Sequence, residues 1–178
     1  MIMTIKNFIS HEEVAFWKHY TQFATMNPSQ EVTLKTVKDG KESLDRVDRR
    51  YYSINSHFPV MAEAKKIAEE NWKTELKYSS SYAQIMDYYG KSEGLKWHAE
   101  PYISTVSVSI NLSQDHEYGG AEFQIKDAEL DIPYRSAIFY DSSITHRVTP
   151  LEWGRKLSMV IWLPQKDQKV RDYSWRAE

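Results

Sequence analysis

The clearest regular pattern in the chain is an alternation of apolar and polar residues between Ile103 and Leu112. The apolar positions are Val106, Val108, Ile110 and Leu112, and the polar positions between them are Ser107, Ser109 and Asn111. Because successive side chains of a strand point to opposite faces, this period of two predicts a half-buried β-strand. Shorter alternations predict further strands over 121–125, 136–140 and 157–163, separated by turn signals at Gly119–Gly120, Pro133 and Pro150–Gly154.

The first part of the chain shows helical signals instead. Ser10 and Glu13 have the spacing of a capping box, which predicts a helix over about His11–Phe23. A proline at a helix start and an apolar face beyond it predict a second helix over about Pro59–Trp72. The polar segment 27–50 predicts a loop with at most short strands. Helices followed by several short strands favour a mainly β fold, with N-terminal helices packed against a β-sandwich or barrel.

The composition fits one globular domain. The chain has 178 residues, of which 41% are hydrophobic and 27% are charged. We therefore expect a single domain over 1–178. Its expected parts are a helical buttress over about 1–78, a β core over about 79–164 and a polar tail over 165–178.

Charge, hydropathy and cysteine content disfavour several classes of protein. The chain has 23 basic and 25 acidic residues, so it offers no overall basic field for a nucleic acid. The apolar run Met159–Leu163 is far shorter than the roughly 20 residues that a membrane helix needs. The first residues show no secretory signal, so we expect a cytoplasmic protein without a membrane partner. With no cysteine, a metal would have to be bound by His, Asp or Glu.

Two of the six histidines stand in a context that suits a metal ion. In His98-Ala-Glu100 an imidazole and a carboxylate are two residues apart, and on an extended segment they would project to the same side. His146 follows a predicted strand and can complete a set of two histidines and one carboxylate. Such a set leaves one metal face open and suits Fe(II) chemistry with dioxygen. A His-x-Glu pair also arises often by chance, so the pair alone is weak support for a metal site.

Further motifs surround these residues in a consistent order. They are Tyr88 before a glycine-containing turn, Trp97–Glu100, Val106–Ser113, Glu117–Phe123, Ser143–Pro150 and Gly154–Trp162. In order, spacing and strand context, the segment of about Tyr82–Pro164 resembles the 2-oxoglutarate- and Fe(II)-dependent dioxygenases of the prolyl 4-hydroxylase type. The chain departs from the usual pattern at Glu100, because most members of this type carry Asp there.

The resemblance implies a double-stranded β-helix core, a cupin-like jelly roll. It also implies that His98, Glu100 and His146 bind Fe(II), that 2-oxoglutarate and O2 are cosubstrates, and that ascorbate serves as reductant. The expected reaction is hydroxylation of a C–H bond, of a peptidyl residue such as proline, with succinate and CO2 as co-products. Two alternatives remain open. One is a dioxygenase acting on a free amino acid, another metabolite or a nucleobase, and the other is a catalytically silent jelly-roll binding module.

In such a family, 2-oxoglutarate needs a cation for its distal carboxylate, and Arg155 and Lys156 are adjacent candidates. On a strand, Lys156 shares a face with Ser158 and Trp162, whereas Arg155 shares a face with apolar residues such as Leu157, which is typical of packing against helices. We therefore predict that Lys156 is the anchor, with Ser158 on the same side of the pocket. Arg155 remains the alternative, because a slip of one residue in register reverses the assignment.

Other side chains are candidates for the walls of the pocket. Tyr88, ten residues before His98, resembles the tyrosine whose hydroxyl contacts 2-oxoglutarate in this family, and a packed strand aromatic is the alternative. Asn111, with Ser107 and Ser109, would line the pocket if the apolar positions between them face the helices. A solvated face of a half-exposed sheet is the alternative. Asn111 stands where some members of the family have a pocket tyrosine.

A basic and aromatic strip lies at the end of the predicted loop. It consists of Arg46, Arg49, Arg50, Tyr51 and Tyr52. Two interpretations are open, a strip that faces the substrate and a solvated loop edge, and we favour the solvated edge. His116 stands between two acidic residues and is predicted to be a loop residue rather than a metal ligand.

Overall fold

The structure, a computed structural model, describes residues 1–22, 30–38, 41–54, 57–78 and 83–168 of the chain. Within these ranges it contains two α-helices, eleven β-strands and one short 3₁₀ helix. The prediction of a mainly β protein with N-terminal helices is confirmed. The last ten residues of the predicted polar tail lie outside the described part of the chain.

The two predicted helices are confirmed. Helix α1 (His11–Tyr20) begins with the capping box, since Ser10 Oγ accepts from the Glu13 amide at 3.1 Å and the Glu13 carboxylate accepts from the Ser10 amide at 2.8 Å. Helix α2 (Pro59–Trp72) ends at Lys73, whose φ of 54° stops the helix. Neither of these helices is long and apolar enough to cross a membrane.

The described strands form two antiparallel sheets. They are β1 (Ile2–Ile5), β2 (Gln30–Lys38), β3 (Lys41–Ile54), β4 (Ala83–Tyr89), β5 (Leu95–His98), β6 (Val106–Asn111), β7 (Tyr118–Gly120), β8 (Phe123–Ile125), β9 (Ala137–Asp141), β10 (His146–Val148) and β11 (Leu151–Leu163). The larger sheet has the order β1-β9-β6-β11-β4-β3-β2, and β7 pairs with the start of β11. The smaller sheet has the order β5-β10-β8.

The larger sheet has one face toward the helices and one face toward a cavity. Ile110 of β6 is fully buried in a core that includes Trp17 of α1 and Met61 of α2. Burial of each such side chain stabilises the fold by about 1.5–3 kcal/mol. The alternate residues Ser109 and Asn111 line the cavity on the other face. The period of two in the sequence of β6 therefore separates the structural core from the candidate site.

The prediction of a loop over 27–50 is wrong. Strands β2 and β3 form a long antiparallel hairpin there, and β3 continues the larger sheet by pairing with β4. β2 is the last strand in the order of the sheet, a position where charged residues are common because they discourage pairing with another chain. Residues 1–78, expected to be a helical buttress, thus also contribute three strands.

The turns predicted at Gly119–Gly120 and Pro150–Gly154 are also wrong, because these segments pair as β7 and the start of β11. The pairing contains a register shift between Leu151 and Trp153. Gly154 has a φ of 77°, and a Cβ there would collide with the carbonyl oxygen of Glu117. The glycines therefore permit a close and irregular approach of two strands.

Candidate active site

Three side chains that can bind a metal converge between the two sheets. His98 is the last residue of β5, and His146 lies directly opposite it as the first residue of β10. Glu100 lies two residues beyond β5 and is buried. Their potential ligand atoms all lie within 4.8 Å of one another. The fold thus brings together the three residues that the sequence motifs indicated.

Each imidazole ring is oriented by a hydrogen bond to the backbone carbonyl oxygen two residues earlier in the chain. His98 Nδ1 lies 2.7 Å from the carbonyl oxygen of Lys96, and His146 Nδ1 lies 2.9 Å from that of Ile144. Because a carbonyl oxygen only accepts hydrogen bonds, Nδ1 carries the proton in each ring. The lone pair then sits on Nε2, and His98 Nε2 lies 3.7 Å from Oε1 of Glu100. Both rings therefore present a ligand atom to the shared space.

The carboxylate of Glu100 is held from two sides. Its backbone amide donates to the carbonyl oxygen of Ser142 at 2.7 Å, and its Oε2 accepts from Nε1 of Trp162 at 2.9 Å. Burial raises the pKa of Glu100, but the adjacent His98 ring, the charge of His146 and the hydrogen bond from the Trp162 indole outweigh burial and lower the pKa. The carboxyl group is therefore ionised, as a metal ligand requires.

The two histidines differ in their electrostatic surroundings. Burial lowers the pKa of His146, and the neighbouring His98 lowers it further, which favours the neutral ring that binds metals. Burial also lowers the pKa of His98, but the adjacent carboxylate of Glu100 raises it, and the net shift is upward. The positive charge of Arg49 opposes protonation of His98.

A buried triangle of hydroxyl groups fixes the segment that carries Glu100. The three serine oxygens of Ser104, Ser107 and Ser142 lie 2.7, 2.8 and 3.0 Å apart. The backbone amide of Ser104 also donates to the carbonyl oxygen of Glu100 at 3.3 Å. Because Ser107 belongs to β6, the triangle ties the segment after β5 to the larger sheet.

The cavity beside these ligands has a volume of about 620 Å³. Residues of both sheets line it, since Met86 belongs to β4, Leu95 to β5 and Phe123 to β8. Both Lys156 and Ser158 of β11 line it as well. The wall is thus partly apolar and partly polar, and besides the candidate metal-binding set its charged groups include both cations and carboxylates.

The structure separates the two candidate cations. Lys156 is 7% exposed, and its Nζ donates to the carbonyl oxygen of Ala121 at 2.6 Å and lies 4.9 Å from the ring centre of Tyr118. Burial lowers the pKa of Lys156 to about 8, which the charge of Glu122 partly opposes. Arg155 instead pairs with the fully buried Asp87, at 2.8 Å from Nε and 3.0 Å from Nη2.

The other predicted pocket residues line the cavity, except Ser107, which is fully buried in the serine triangle. Tyr88 is 2% exposed and lines the cavity, and Ser158 is paired in register with Asn111 at its wall. Asn111 uses its amide group to hold neighbouring segments. It donates to the carbonyl oxygen of Ile132 at 3.0 Å and accepts from the amide of Ser113 at 3.1 Å. His116 is exposed and is not part of the metal-binding cluster.

The interpretation of the basic strip as a solvated loop edge is wrong for two of its members. Arg49 is 3% exposed and lines the cavity, and Tyr52 is buried in the core. Arg50 donates to Asp87 from Nε and Nη2 at 3.0 and 2.8 Å. The side chain of Arg46 lies outside the described part of the chain. Alternation from Arg49 to Ile54 is the signal that could have revealed a strand with one arginine on each face.

No protein-family model matches the chain. Among curated proteins, a PKHD-type hydroxylase from Crocosphaera subtropica is 25% identical over 167 residues, which cover 91% of this chain and 69% of that protein. A PKHD-type hydroxylase from Hyphomonas neptunium is 28% identical over 99 residues, which cover 51% of this chain. The alignment covers 42% of the Hyphomonas protein, so the chain spans less than half the length of that relative.

The fold is similar to that of a prolyl hydroxylase from Trichoplax adhaerens, solved in complex with a peptide fragment of the hypoxia inducible factor oxygen degradation domain. The TM-score is 0.68, with 11% identity, over 94% of this chain and 84% of that chain. The prediction of a double-stranded β-helix core is confirmed by this similarity. The chain is therefore similar in sequence to PKHD-type hydroxylases and has the fold of the 2-oxoglutarate- and Fe(II)-dependent oxygenases, as the resemblance to the prolyl 4-hydroxylase type predicted.

Proposed function

We propose that the chain is a hydroxylase that depends on Fe(II) and 2-oxoglutarate and acts on a C–H bond of its substrate. The observation that carries this proposal is the convergence of His98, Glu100 and His146 at the wall of a cavity that also holds the buried ammonium group of Lys156. A metal-bound 2-oxo acid with a second carboxylate requires both features in one pocket. The similarity to PKHD-type hydroxylases supports the same class of reaction.

The residues fit Fe(II). Two imidazole nitrogens and one carboxylate form the two-histidine, one-carboxylate set that is typical of non-haem Fe(II) oxygenases. His146 is kept neutral and Glu100 is kept ionised by their surroundings, so both are in the protonation state that binds a metal. The contacts from Lys96 and Ile144 fix the orientation of the rings before a metal arrives.

Bound by these residues, Fe(II) would supply the redox chemistry by which O2 converts 2-oxoglutarate to succinate and CO2 and hydroxylates the substrate. Lys156 neutralises the distal carboxylate of 2-oxoglutarate and thereby fixes its direction in the cavity. The apolar wall that includes Met86 and Leu95 limits the access of water to the reacting groups. Ascorbate, as the reductant that keeps the iron ferrous, belongs to the same proposal.

We propose that the substrate is a peptide or a small molecule whose reacting carbon enters the cavity. The peptide complex of the Trichoplax relative supports a peptidyl residue such as proline. The fold alone does not choose between these sources, because the same scaffold serves many substrates.

The test is an anaerobic titration of the purified protein with Fe(II) and 2-oxoglutarate, followed by the visible charge-transfer band of the chelated complex. We expect the band in the unaltered protein and its loss in His98→Ala and His146→Ala. His116→Ala is the matched control, because His116 is exposed and lies outside the metal-binding cluster. That variant should keep the band.

A band that persists in both site variants would remove these histidines from the metal site. A folded protein that shows no band at saturating Fe(II) and 2-oxoglutarate would contradict the proposed function. It would favour the catalytically silent binding module instead.

A further inference from the structure

The cavity contains a second buried cation that the binding of 2-oxoglutarate does not require. Arg49 is 3% exposed and lines the same cavity as Lys156. A guanidinium on a cavity wall offers hydrogen-bond donors and a positive charge to an anion that enters the cavity. Arg49 and Lys156 can bind different anionic groups only if they are separated in the cavity. The order of the strands shows how far apart they lie.

Adjacent strands present the two cations on one face of the larger sheet. Arg50 is paired in register with Asp87, and Lys156 is paired with Tyr88. Because alternate residues share a face, Arg49 falls on the face of Tyr88 and Lys156, which is the cavity face. β3 carries Arg49 and β11 carries Lys156, and β4 separates the two strands. The cations are thus two strands apart.

The two cations also have different neighbours. The ammonium group of Lys156 is held by the carbonyl oxygen of Ala121 and the ring of Tyr118. Arg49 lines the same cavity wall as the candidate metal-binding set, and its charge acts on His98. An anion bound by Arg49 would therefore lie close to the position where the C–H bond must be oxidised.

The chemistry of arginine defines the group that it would bind. A guanidinium presents five donors in a rigid planar fork that matches the two oxygens of a carboxylate, so contacts that use some donors leave others for a ligand. Bidentate pairs of this kind are among the strongest hydrogen bonds in proteins. Resting on the proposed function, we propose that Arg49 binds a carboxylate of the substrate, so that the enzyme hydroxylates a carboxylic acid whose acid group enters the cavity.

The experiment compares acids with their neutral counterparts. The probes are the standard amino acids, small mono- and dicarboxylic acids, the primary amides of each, and tripeptides that carry the same residues at a free or amidated C-terminus. Succinate release is measured with each probe in the Fe(II)- and 2-oxoglutarate-loaded enzyme. We expect stimulation by at least one acid and its loss in the matched amide. Comparing free acids with tripeptides distinguishes a small molecule from a peptide as the source of the carboxylate.

Variants then assign the effect to Arg49. Arg49→Gln should raise the KM for the stimulating acid by about 10- to 100-fold, the range expected for a lost charge-assisted hydrogen bond. Arg49→Lys should restore part of the affinity. Arg50→Gln is the matched control, because Arg50 is the next residue, faces away from the cavity and is held by Asp87. The charge-transfer band with Fe(II) and 2-oxoglutarate should be unchanged in Arg49→Gln, which also shows that the variant is folded.

Several outcomes would overturn the inference while the proposed function stands. They are stimulation by amides as strong as by acids, no stimulation by any acid of the panel, and an unchanged KM in Arg49→Gln. A weakened affinity for 2-oxoglutarate in Arg49→Gln would assign the residue to the cosubstrate instead. The absence of the charge-transfer band in the unaltered protein would count against the proposed function itself.

Discussion

The indole Nε1 of Trp162 donates a hydrogen bond of 2.9 Å to Oε2 of Glu100, the carboxylate of the proposed metal-binding set. Glu has one more rotatable bond than the Asp found at this position in most prolyl 4-hydroxylase-like proteins. A longer side chain loses more conformational freedom when it is fixed. The hydrogen bond from Trp162 fixes one oxygen and leaves Oε1 on the side of His98. Under the proposed function, Trp162 is thus a positioning residue for the proposed metal ligand Glu100.

Trp162→Phe removes this donor and keeps most of the apolar volume. We expect the affinity for Fe(II) to fall by about 10- to 100-fold, the usual effect of losing a hydrogen bond to a metal ligand. An anaerobic Fe(II) titration measures the affinity. Trp153→Phe is the matched control, because Trp153 lies on the same strand and is 53% exposed. Equal affinities in the two variants would contradict a positioning role for Trp162.

Glu100→Asp tests whether the site requires the longer side chain of glutamate at this position. The change withdraws the carboxylate by one methylene from both the metal-binding position and Trp162. We expect weaker Fe(II) binding, although Asp is the residue usual in similar proteins, because the backbone here is placed for Glu. A double-mutant cycle with Trp162→Phe should show non-additive losses of Fe(II) affinity, since both changes disrupt the same hydrogen bond between Trp162 and Glu100. Fe(II) affinity of Glu100→Asp at or above that of the unaltered protein would refute the dependence on length.

Periodicity in the sequence predicted the parts of the fold where one face of a strand is apolar. The alternation in β6 correctly separated Ile110 in the core from Asn111 at the cavity. It failed for β2 and β3, where charged side chains mask the period and pairing with β4 decides the structure. Strand pairing between distant segments is a tertiary property that local propensity does not encode.

Short sequence motifs predicted only part of the candidate site. The positions of His98, Glu100 and His146 followed from such motifs, and the geometry places their ligand atoms together. The sequence left the orientation of Arg49 open between two interpretations and did not predict the contact of Trp162 with Glu100, because each depends on segments far away in the chain. Only the register of the sheet shows which face of β3 looks into the cavity.

Asp87 links two arginines on the face of the sheet opposite the cavity. It is fully buried and accepts hydrogen bonds from both Arg50 and Arg155. Asp87→Asn would leave two guanidinium groups without their counter-charge. We expect the free energy of unfolding to fall by about 3 kcal/mol, the lower end for a broken buried pair, because solvent partly screens both arginines. Urea denaturation measures the change.

Glu75→Gln is the control for that experiment, since Glu75 pairs with Lys166 where both side chains are more than 60% exposed. Exposed pairs contribute little, so this variant should differ from the unaltered protein by less than about 1 kcal/mol. A similar small loss in Asp87→Asn would show that Asp87 is dispensable for stability.

Lys156 and Arg155 provide a matched pair of variants for the anchor of 2-oxoglutarate. Lys156→Met should raise the Kd for 2-oxoglutarate by about 10- to 100-fold, because a charge-assisted contact in a buried pocket is lost. Arg155→Met should leave that Kd unchanged and lower stability instead, because Arg155 pairs with Asp87. Titration of the charge-transfer band and urea denaturation separate the two effects. The reverse pattern would assign the anchor to Arg155.

The depressed pKa of Lys156 predicts that the affinity for 2-oxoglutarate depends on pH in a window above neutrality. Burial lowers the pKa to about 8, so the ammonium form is about 90% populated at pH 7 and is lost as the pH rises through 8. The carboxylates of 2-oxoglutarate stay ionised throughout this window. We therefore expect the affinity to fall by up to about tenfold for each pH unit above 8, until the pKa of the bound complex is reached.

Two titratable neighbours of the Lys156 ammonium group, Tyr118 on β7 and Glu122, do not mask this effect. Burial raises the pKa of Tyr118, so its phenol stays neutral through the window. Glu122 lies near enough for its charge to act on Lys156 and favours the ammonium form.

Stability should change in the opposite direction to affinity. Between pH 8 and the ordinary lysine pKa of about 10.5 the unfolded chain binds more protons than the folded one, so the contribution of Lys156 to the free energy of unfolding rises with pH.

Lys156→Arg is the control for the pH dependence of affinity. The guanidinium stays charged, so this variant should bind 2-oxoglutarate with little pH dependence between pH 7 and 9.5. Titrations of both proteins at several pH values check this. An equally steep loss of affinity in Lys156→Arg would place the titrating group elsewhere in the cavity.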